Sequence, residues 1–335
     1  MYESVTQPKT AIIWTDEPRL EAARSIAAEA GLRVVAAGCP AAERAAAVAA
    51  ELDCQPRSDL RATLAQADAD VVLICSPGRF GATHDEADAE SVRAAASRGT
   101  RVHTLEPVPA GPDAATGGAW LKQRDGGRAV DAARRVPSPM MGAGLREGRE
   151  LLATLGAIRS LAVTSGGPRA HGSAGARLAD AAAVLYALVG VPEHVDAASG
   201  PIDARSDASV PHRISGAAIS LVARYADGRT ATLVASDAWA VDELRVDALT
   251  EDGRVQMSTN GFVWYSGDGT QRDRHDAPRP ASWPARVASE MLRADAASAA
   301  PGEPLAVLAI VEAAVLSTRT GQAESPETVL RLLRQ

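Results

Sequence analysis

Few residues in this chain have the type and spacing that chemistry requires. Six histidines (His84, His103, His171, His194, His212 and His275) are scattered, with no i,i+4 pair and no HExxH run to set two imidazoles on one helix face. Each reads first as a surface or satisfied core histidine. His171 is the exception, because it lies in a glycine-rich loop that begins Ser165-Gly166-Gly167-Pro168, a backbone able to cradle an anion. Cys39, Cys54 and Cys75 are odd in number and lack CxxC spacing, so neither a disulfide framework nor a zinc site is expected. No GxSxG elbow occurs. Lysine is limited to Lys9 and Lys122, so any mechanism that needs an amine must use one of them. Glu106 stands at the end of the strand-like segment Arg101–Leu105, followed by Pro107, Val108 and Pro109.

The elements that must position these residues alternate in the first 110 positions. Thr10–Trp14 and Val71–Cys75 are apolar runs of strand length, and Leu32–Ala37 and Arg101–Leu105 also read as strands. Between them, Asp16-Glu17-Pro18 opens a helix that stops at Gly31, and Pro40–Leu52, Leu60–Ala67 and Glu86–Arg98 are also helical. Strands alternating with helices imply a doubly wound parallel sheet, whose ligands bind beyond the carboxyl ends of the strands. That rule gathers 15–18, 38–40, 76–80 and 106–109 around one crevice.

Residues 111–127 read as a crossover linker. Beyond residue 155 the pattern changes. A strand at Ile158–Thr164, a loop at Ser165–Gly175 and an apolar helix at Ala176–Val189 lead into strand-like runs at 214–225, 229–236, 243–250, 255–258 and 262–266. Two Asp-Gly turns, at Asp227-Gly228 and Asp252-Gly253, mark hairpins. The expected architecture is an α/β chain. A Rossmann-like domain spans 1–112, and an α+β domain with an open, mostly antiparallel sheet spans 113–335. The last helix, about 303–320, is expected to pack back on the first domain. Trp239 and Trp264 read as sheet-face packing.

Composition bounds the rest. The 335 residues suit two domains, and 23% charged residues suit a globular chain. A net charge of −7 without a basic block argues against nucleic acid as a partner. No apolar run has the length of a membrane span, and the polar segment Met1–Lys9 lacks a signal-peptide core, so a cytoplasmic protein is expected.

Several segments, in this order, resemble the glucose–fructose oxidoreductase / inositol dehydrogenase / MocA family of NAD(P)-dependent dehydrogenases. They are Ala69–Pro77, Arg98–Pro107, Leu155–Ile158, Leu185–Gly190 with Val195–Ala197, and Ile310–Gly321. The resemblance covers nearly the whole chain. It implies NAD or NADP as cofactor and a sugar or cyclitol hydroxyl as substrate. It also implies a homodimer or higher oligomer through the C-terminal sheet, and a cis peptide at Glu106–Pro107 or Val108–Pro109. By position in the family crevice, Thr15, Asp16, Cys39, Ser76, Pro77, Glu106 and Pro107 would meet the cofactor. Glu106, Asp180 and His171 would carry the chemistry.

The residues depart from the family pattern at each functional position. Its Gly-x-Gly-x-x-Gly turn is replaced by Thr15-Asp16-Glu17-Pro18-Arg19-Leu20, without a glycine. Glycines let the backbone approach a pyrophosphate closely. Asp16 and Glu17 cap the helix instead and repel a diphosphate. One like-charge pair at about 5 Å costs roughly 0.8 kcal/mol in water and about 3 at an effective dielectric of 20. The second strand ends Ala37-Gly38-Cys39-Pro40, with no acid for a ribose, and Arg44 reads as a surface helix residue. The family's lysine is absent after Glu106, and its Asp-x-x-x-His falls on Ala176 and Asp180. Three readings stay open: a dehydrogenase-like protein with lost motifs; a non-catalytic ligand-binding, regulatory or partner subunit; or other chemistry using Glu106, Asp180 and His171. A crevice filled by Trp14, Arg19 or the loop 76–83 is the expected mark of lost activity.

Overall fold

A computed structural model describes residues 8–83, 85–111, 119–122, 124, 127–136, 142–200, 214–216, 218–276, 282–292 and 304–333. His84, His212 and most of the expected linker lie outside the described residues. The chain divides into two compact units. The first takes residues up to 109, a stretch ending at 136 and a late helix, Trp283–Leu292; the second takes most of the remainder.

The first unit is built on strands β1 (Thr10–Trp14), β2 (Arg33–Gly38), β3 (Gln55–Arg57), β4 (Val71–Ile74), β5 (Arg101–Thr104) and β6 (Ala133–Arg135). Their order is β3-β2-β1-β4-β5-β6, all parallel. Both faces are covered, as the unbroken apolar runs require. Alternate residues of a strand point to opposite faces. Accordingly Ile13, Leu73 and Cys75 pack with Ala23 and Ile26 of α1 (Leu20–Glu29), with Val48 of α2 (Ala45–Glu51) and with Val287 and Met291 of the late helix. Ile12, Val72 and Ile74 pack with Leu64 of α3 (Leu60–Ala65) and Val92 of α4 (Glu86–Ser97). Asp59 and Asp85 cap α3 and α4 by accepting the Ala62 and Ala87 N–H groups.

The second unit carries an eight-stranded sheet, β14-β13-β12-β11-β7-β10-β9-β8. Its strands are β7 (Ile158–Pro168), β8 (His194–Ser199), β9 (Ala218–Arg224), β10 (Thr230–Ser236), β11 (Ala238–Thr250), β12 (Gly253–Ser258), β13 (Gly261–Ser266) and β14 (Gln271–Asp276). Only the β7–β10 pair is parallel. Strict alternation along β9 and β10 leaves one face exposed. The other is buried under α5 (Ala143–Leu152), α6 (Ala174–Val189) and the helix Pro304–Thr320, with Leu178, Leu185, Val246 and Ile310 in the core. Leu178 and Leu185 are fully buried, and each such side chain stabilises by about 1.5–3 kcal/mol. Pro304–Thr320 packs on α6 and β8 of its own unit; the late helix in the first unit is Trp283–Leu292.

The edges of this sheet differ from its face. Val195 of β8 exchanges both backbone hydrogen bonds with Glu324, each 2.8 Å, which closes that edge. The opposite edge strand, β14, reads Gln-Arg-Asp-Arg-His-Asp and is exposed almost throughout.

Candidate functional site

In an open parallel sheet the ligand crevice lies where the strand order reverses, here between β1 and β4. The carboxyl ends at that point are tied together. The Trp14 carbonyl accepts the Cys75 N–H at 2.8 Å and the Ser76 N–H at 3.3 Å, and the Thr15 N–H donates to Gly38 at 2.9 Å. Arg19, from the turn after β1, lies across the reversal point. One guanidinium nitrogen donates to the Cys75 carbonyl at 2.9 Å and another to Glu106 Oε1 at 2.6 Å. Both side chains are buried, 10% and 1% exposed.

Three more contacts reinforce this closure. The Ser76 hydroxyl donates to Asp16 Oδ2 at 2.7 Å. Arg44 pairs with Glu17, which joins the loop after β2 to the turn after β1. The Trp14 ring lies against Gly38, where any Cβ would collide with it. Gly38 is therefore needed for an aromatic neighbour and not for a ribose. Thr15, Cys39 and Pro107 are buried beside these groups, and Pro77 lies in the same turn as Ser76. Val108–Pro109 is the cis peptide.

Three of the backbone positions that could meet a pyrophosphate have their donor spent or missing. The Thr15 N–H goes to Gly38, the Arg19 N–H goes to Asp16 at 3.2 Å, and Pro18 has none. Asp16 and Glu17 add negative charge. These residues do not fit a dinucleotide held as this type of sheet holds one. The thiols supply no nucleophile. Burial pushes Cys75 up to about 12 and raises Cys39, so both are protonated at neutral pH. Lys9 precedes β1, at the opposite end of that strand, and Lys122 pairs with Glu86 at 3.8 Å.

The second unit brings together a different cluster. Ser165–Pro168, expected to be a loop, extends β7 and pairs with both β10 and β11. In β11, Ala238 pairs with Pro168 and Glu243 with Gly166, so residues 239–242 bulge opposite Gly167. The bulge turns Trp239 onto Gly166 and Asp242 onto Gly167, where a Cβ would strike Asp242 and the Arg177 guanidinium. His171 follows in the turn Arg169–His171, and α6 then starts with Ser173 capping the Ala176 N–H. His171 Nδ1 lies 2.6 Å from Asp242 Oδ2, and Arg177 donates to Asp242 Oδ1 at 2.5 Å. Burial alone raises the Asp242 carboxyl, but the His171 hydrogen bond and the Arg177 charge outweigh it and hold it below the usual range.

Asp180 is buried on α6, one turn beyond Arg177. Glu106 thus belongs to the first unit, and Asp180 and His171 to the second. Asp242 escapes sequence reasoning because it is 71 residues from His171. The only local signal was the Gly166–Gly167 pair. Trp264 packs against the core of the unit, as expected of a sheet-face residue. Among the described residues no group of three or more His, Cys, Asp or Glu could hold a metal.

The chain thus joins a doubly wound parallel sheet to a mostly antiparallel sheet backed by helices. No protein-family model and no curated protein matches the chain. Solved structures do. UDP-N-acetylglucosamine 3-dehydrogenase GnnA from Acidithiobacillus ferrooxidans is 21% identical, with 93% of this chain and 97% of that one covered at a TM-score of 0.61. Levoglucosan dehydrogenase, in complex with NADH and levoglucosan, is 14% identical, with 95% and 99% covered at 0.66. An NAD binding oxidoreductase from Klebsiella pneumoniae is 14% identical, with 95% and 99% covered at 0.63. The chain therefore has the fold of glucose–fructose oxidoreductase / inositol dehydrogenase / MocA-type oxidoreductases over nearly its whole length. Among the described residues no helix is long and apolar enough to cross a membrane.

Proposed function

We propose that this chain is a redox-inactive protein on an NAD(P)-dependent oxidoreductase fold, working as a ligand-binding, regulatory or partner subunit. The observation that carries the reading is Arg19, whose guanidinium bridges Cys75 and Glu106 across the point where the fold would hold a pyrophosphate. The lysine and histidine of hydride transfer have no counterpart, and Glu106 is engaged by an arginine. Its ligand is a sugar- or cyclitol-like small molecule; the substrates named for the levoglucosan and UDP-N-acetylglucosamine dehydrogenases support that class. Three free cysteines, two of them buried, suit a reducing, cytoplasmic setting.

Self-association through the open sheet face belongs to the same reading. On β7, β10 and β9 it presents Ala162, Ser220 and Thr232 beside Val222 and Val234, the last two 40% and 37% exposed. Such a surface suits a second sheet packed face to face. Val234→Glu should convert a dimer into monomers by light scattering; a monomeric wild type removes this part of the reading.

The main test is a thermal-shift titration with NAD⁺, NADH, NADP⁺ and NADPH. A bound cofactor at 100 times its Kd would add about 2.7 kcal/mol of stability. The expected result is no saturable shift with any of the four. A saturable shift with one would restore the alternative, a dehydrogenase acting on a sugar or cyclitol hydroxyl.

A further inference from the structure

Arg101, His103 and Arg134 share one face of the sheet in the first unit. Val102 packs in the cluster on the α3 and α4 side, so Arg101 and His103 point to the opposite face. Where β5 meets β6, Val102 pairs with Ala133 of that same cluster and His103 with Arg134, which puts Arg134 on the face of His103. The late helix lies on this face, and the Arg101 guanidinium donates to its Met291 carbonyl at 3.0 Å. Arg101 therefore has a structural use, because the carbonyls of a last helical turn need donors.

Arg134 has no such use. It is half-buried, and among the described residues its guanidinium makes no hydrogen bond and no ion pair. Burial and then the Arg101 charge push it below its ordinary value, and no carboxylate acts in the opposite direction. No carboxylate acts on His103 either. The acid that feels Arg101 is Asp70, which already accepts the Thr10 N–H and hydroxyl at 2.7 and 3.0 Å. An arginine stays charged inside a protein, and a charge drawn out of water is ordinarily paired. Two guanidinium groups gathered on one face without a counter-charge leave that pairing to a ligand.

We infer that Arg101 and Arg134 hold a tetrahedral oxyanion, inorganic phosphate or the phosphate group of a larger molecule, at the β5–β6 edge of the first unit. The planar fork of each guanidinium matches two phosphate oxygens, and a doubly charged anion offsets both arginines. The site is separate from the crevice between β1 and β4. Strands β5 and β6 lie beyond β4, and Arg101 opens its strand, at the end away from the crevice. The inference therefore stands or falls independently of dinucleotide binding.

The test is thermal unfolding of the whole chain at constant ionic strength, titrated against chloride with inorganic phosphate and, separately, with glycerol 2-phosphate. The wild type should show a saturable rise in Tm of about 2 °C or more with one or both. Tighter binding of the second probe points to a phosphorylated molecule, and tighter binding of the first to free phosphate; either supports the site. Arg134→Met should lose the saturable part and keep only the linear rise that phosphate excluded from the surface gives any protein. Without phosphate this variant should melt no lower than the wild type, since it keeps an apolar stem and removes an unpaired charge. NMR supplies a readout in the wild type alone: phosphate should shift the His103 ring signals and raise the pH at which the ring protonates. No saturable rise in the wild type, the same rise in Arg134→Met, a lower phosphate-free Tm in that variant, or His103 signals unmoved by phosphate each overturns the inference.

Discussion

Removing the Arg19 guanidinium tests whether the first unit is held closed by its own charges. Glu106 is 1% exposed and Arg19 10%, so neither charge is well screened by water. Taking one partner from a buried pair costs about 3–5 kcal/mol, whereas replacing both with apolar groups of similar size is often close to neutral. Arg19→Met and Glu106→Leu should therefore each cost about 3 kcal/mol or more, and the double variant far less than their sum. Urea unfolding is the assay, in a Trp239→Phe/Trp264→Phe background. The remaining indoles, Trp14, Trp120 and Trp283, then all report on the first unit. Single variants that each lose under about 1 kcal/mol would behave like an exposed pair and refute the reasoning. Arg19→Met should also fail to create dinucleotide binding, because Asp16, Pro18 and the Trp14 ring remain.

Two further outcomes follow from the packing. His103 on β5 is buried. Burial, with Arg101 and Arg134 nearby, pushes it down from 6.5 to about 3, and only the Met291 carbonyl favours the charged ring. Below pH 6.5 the unfolded chain gains a proton that the folded chain refuses until about pH 3, so stability falls with pH across that window. The loss by pH 5 is about 2 kcal/mol, measurable as a lower urea midpoint and absent in His103→Leu. Gly167→Ala should cost about 1–3 kcal/mol in thermal unfolding, since its Cβ meets Arg177 and Asp242, while Gly267→Ala, in open space, should be neutral.

The parallel half was legible because its strands are buried on both faces. Val71–Ile74 has no exposed residue, so an apolar run marks it without ambiguity. The helices read at Leu60–Ala67 and Glu86–Arg98 are present as α3 and α4. The two Asp-Gly turns join β9 to β10 and β11 to β12 as read. Elements that rest on distant partners were not legible. Gln55–Arg57 and Ala133–Arg135 are three-residue strands at the sheet edges, and Gln271–Asp276 is too charged to resemble a strand.

Ser165–Pro168 shows the limit of local signals most clearly. Its two glycines suggest a loop, yet they pair in the sheet because Trp239, Arg177 and Asp242 occupy the space above them. The candidate site divided in the same way. The missing glycines, acid and lysine of the first unit were visible as absences in the sequence. That Arg19 reaches Glu106, 87 residues away, and that Asp242 reaches His171 are consequences of folding that no short pattern encodes.

The two edges of the eight-stranded sheet set the geometry of any assembly built on it. Strand β8 is occupied by the Glu324 segment, and β14 presents alternating arginine and aspartate to water. Neither edge is a template for an added strand, so growth along the hydrogen-bonding direction is blocked at both ends. A contact made through the face instead pairs like with like about a twofold axis and is complete at two copies. The edges thus protect the sheet from fibre formation while its face is left for association, and crowding or high expression should yield closed pairs in preference to open chains.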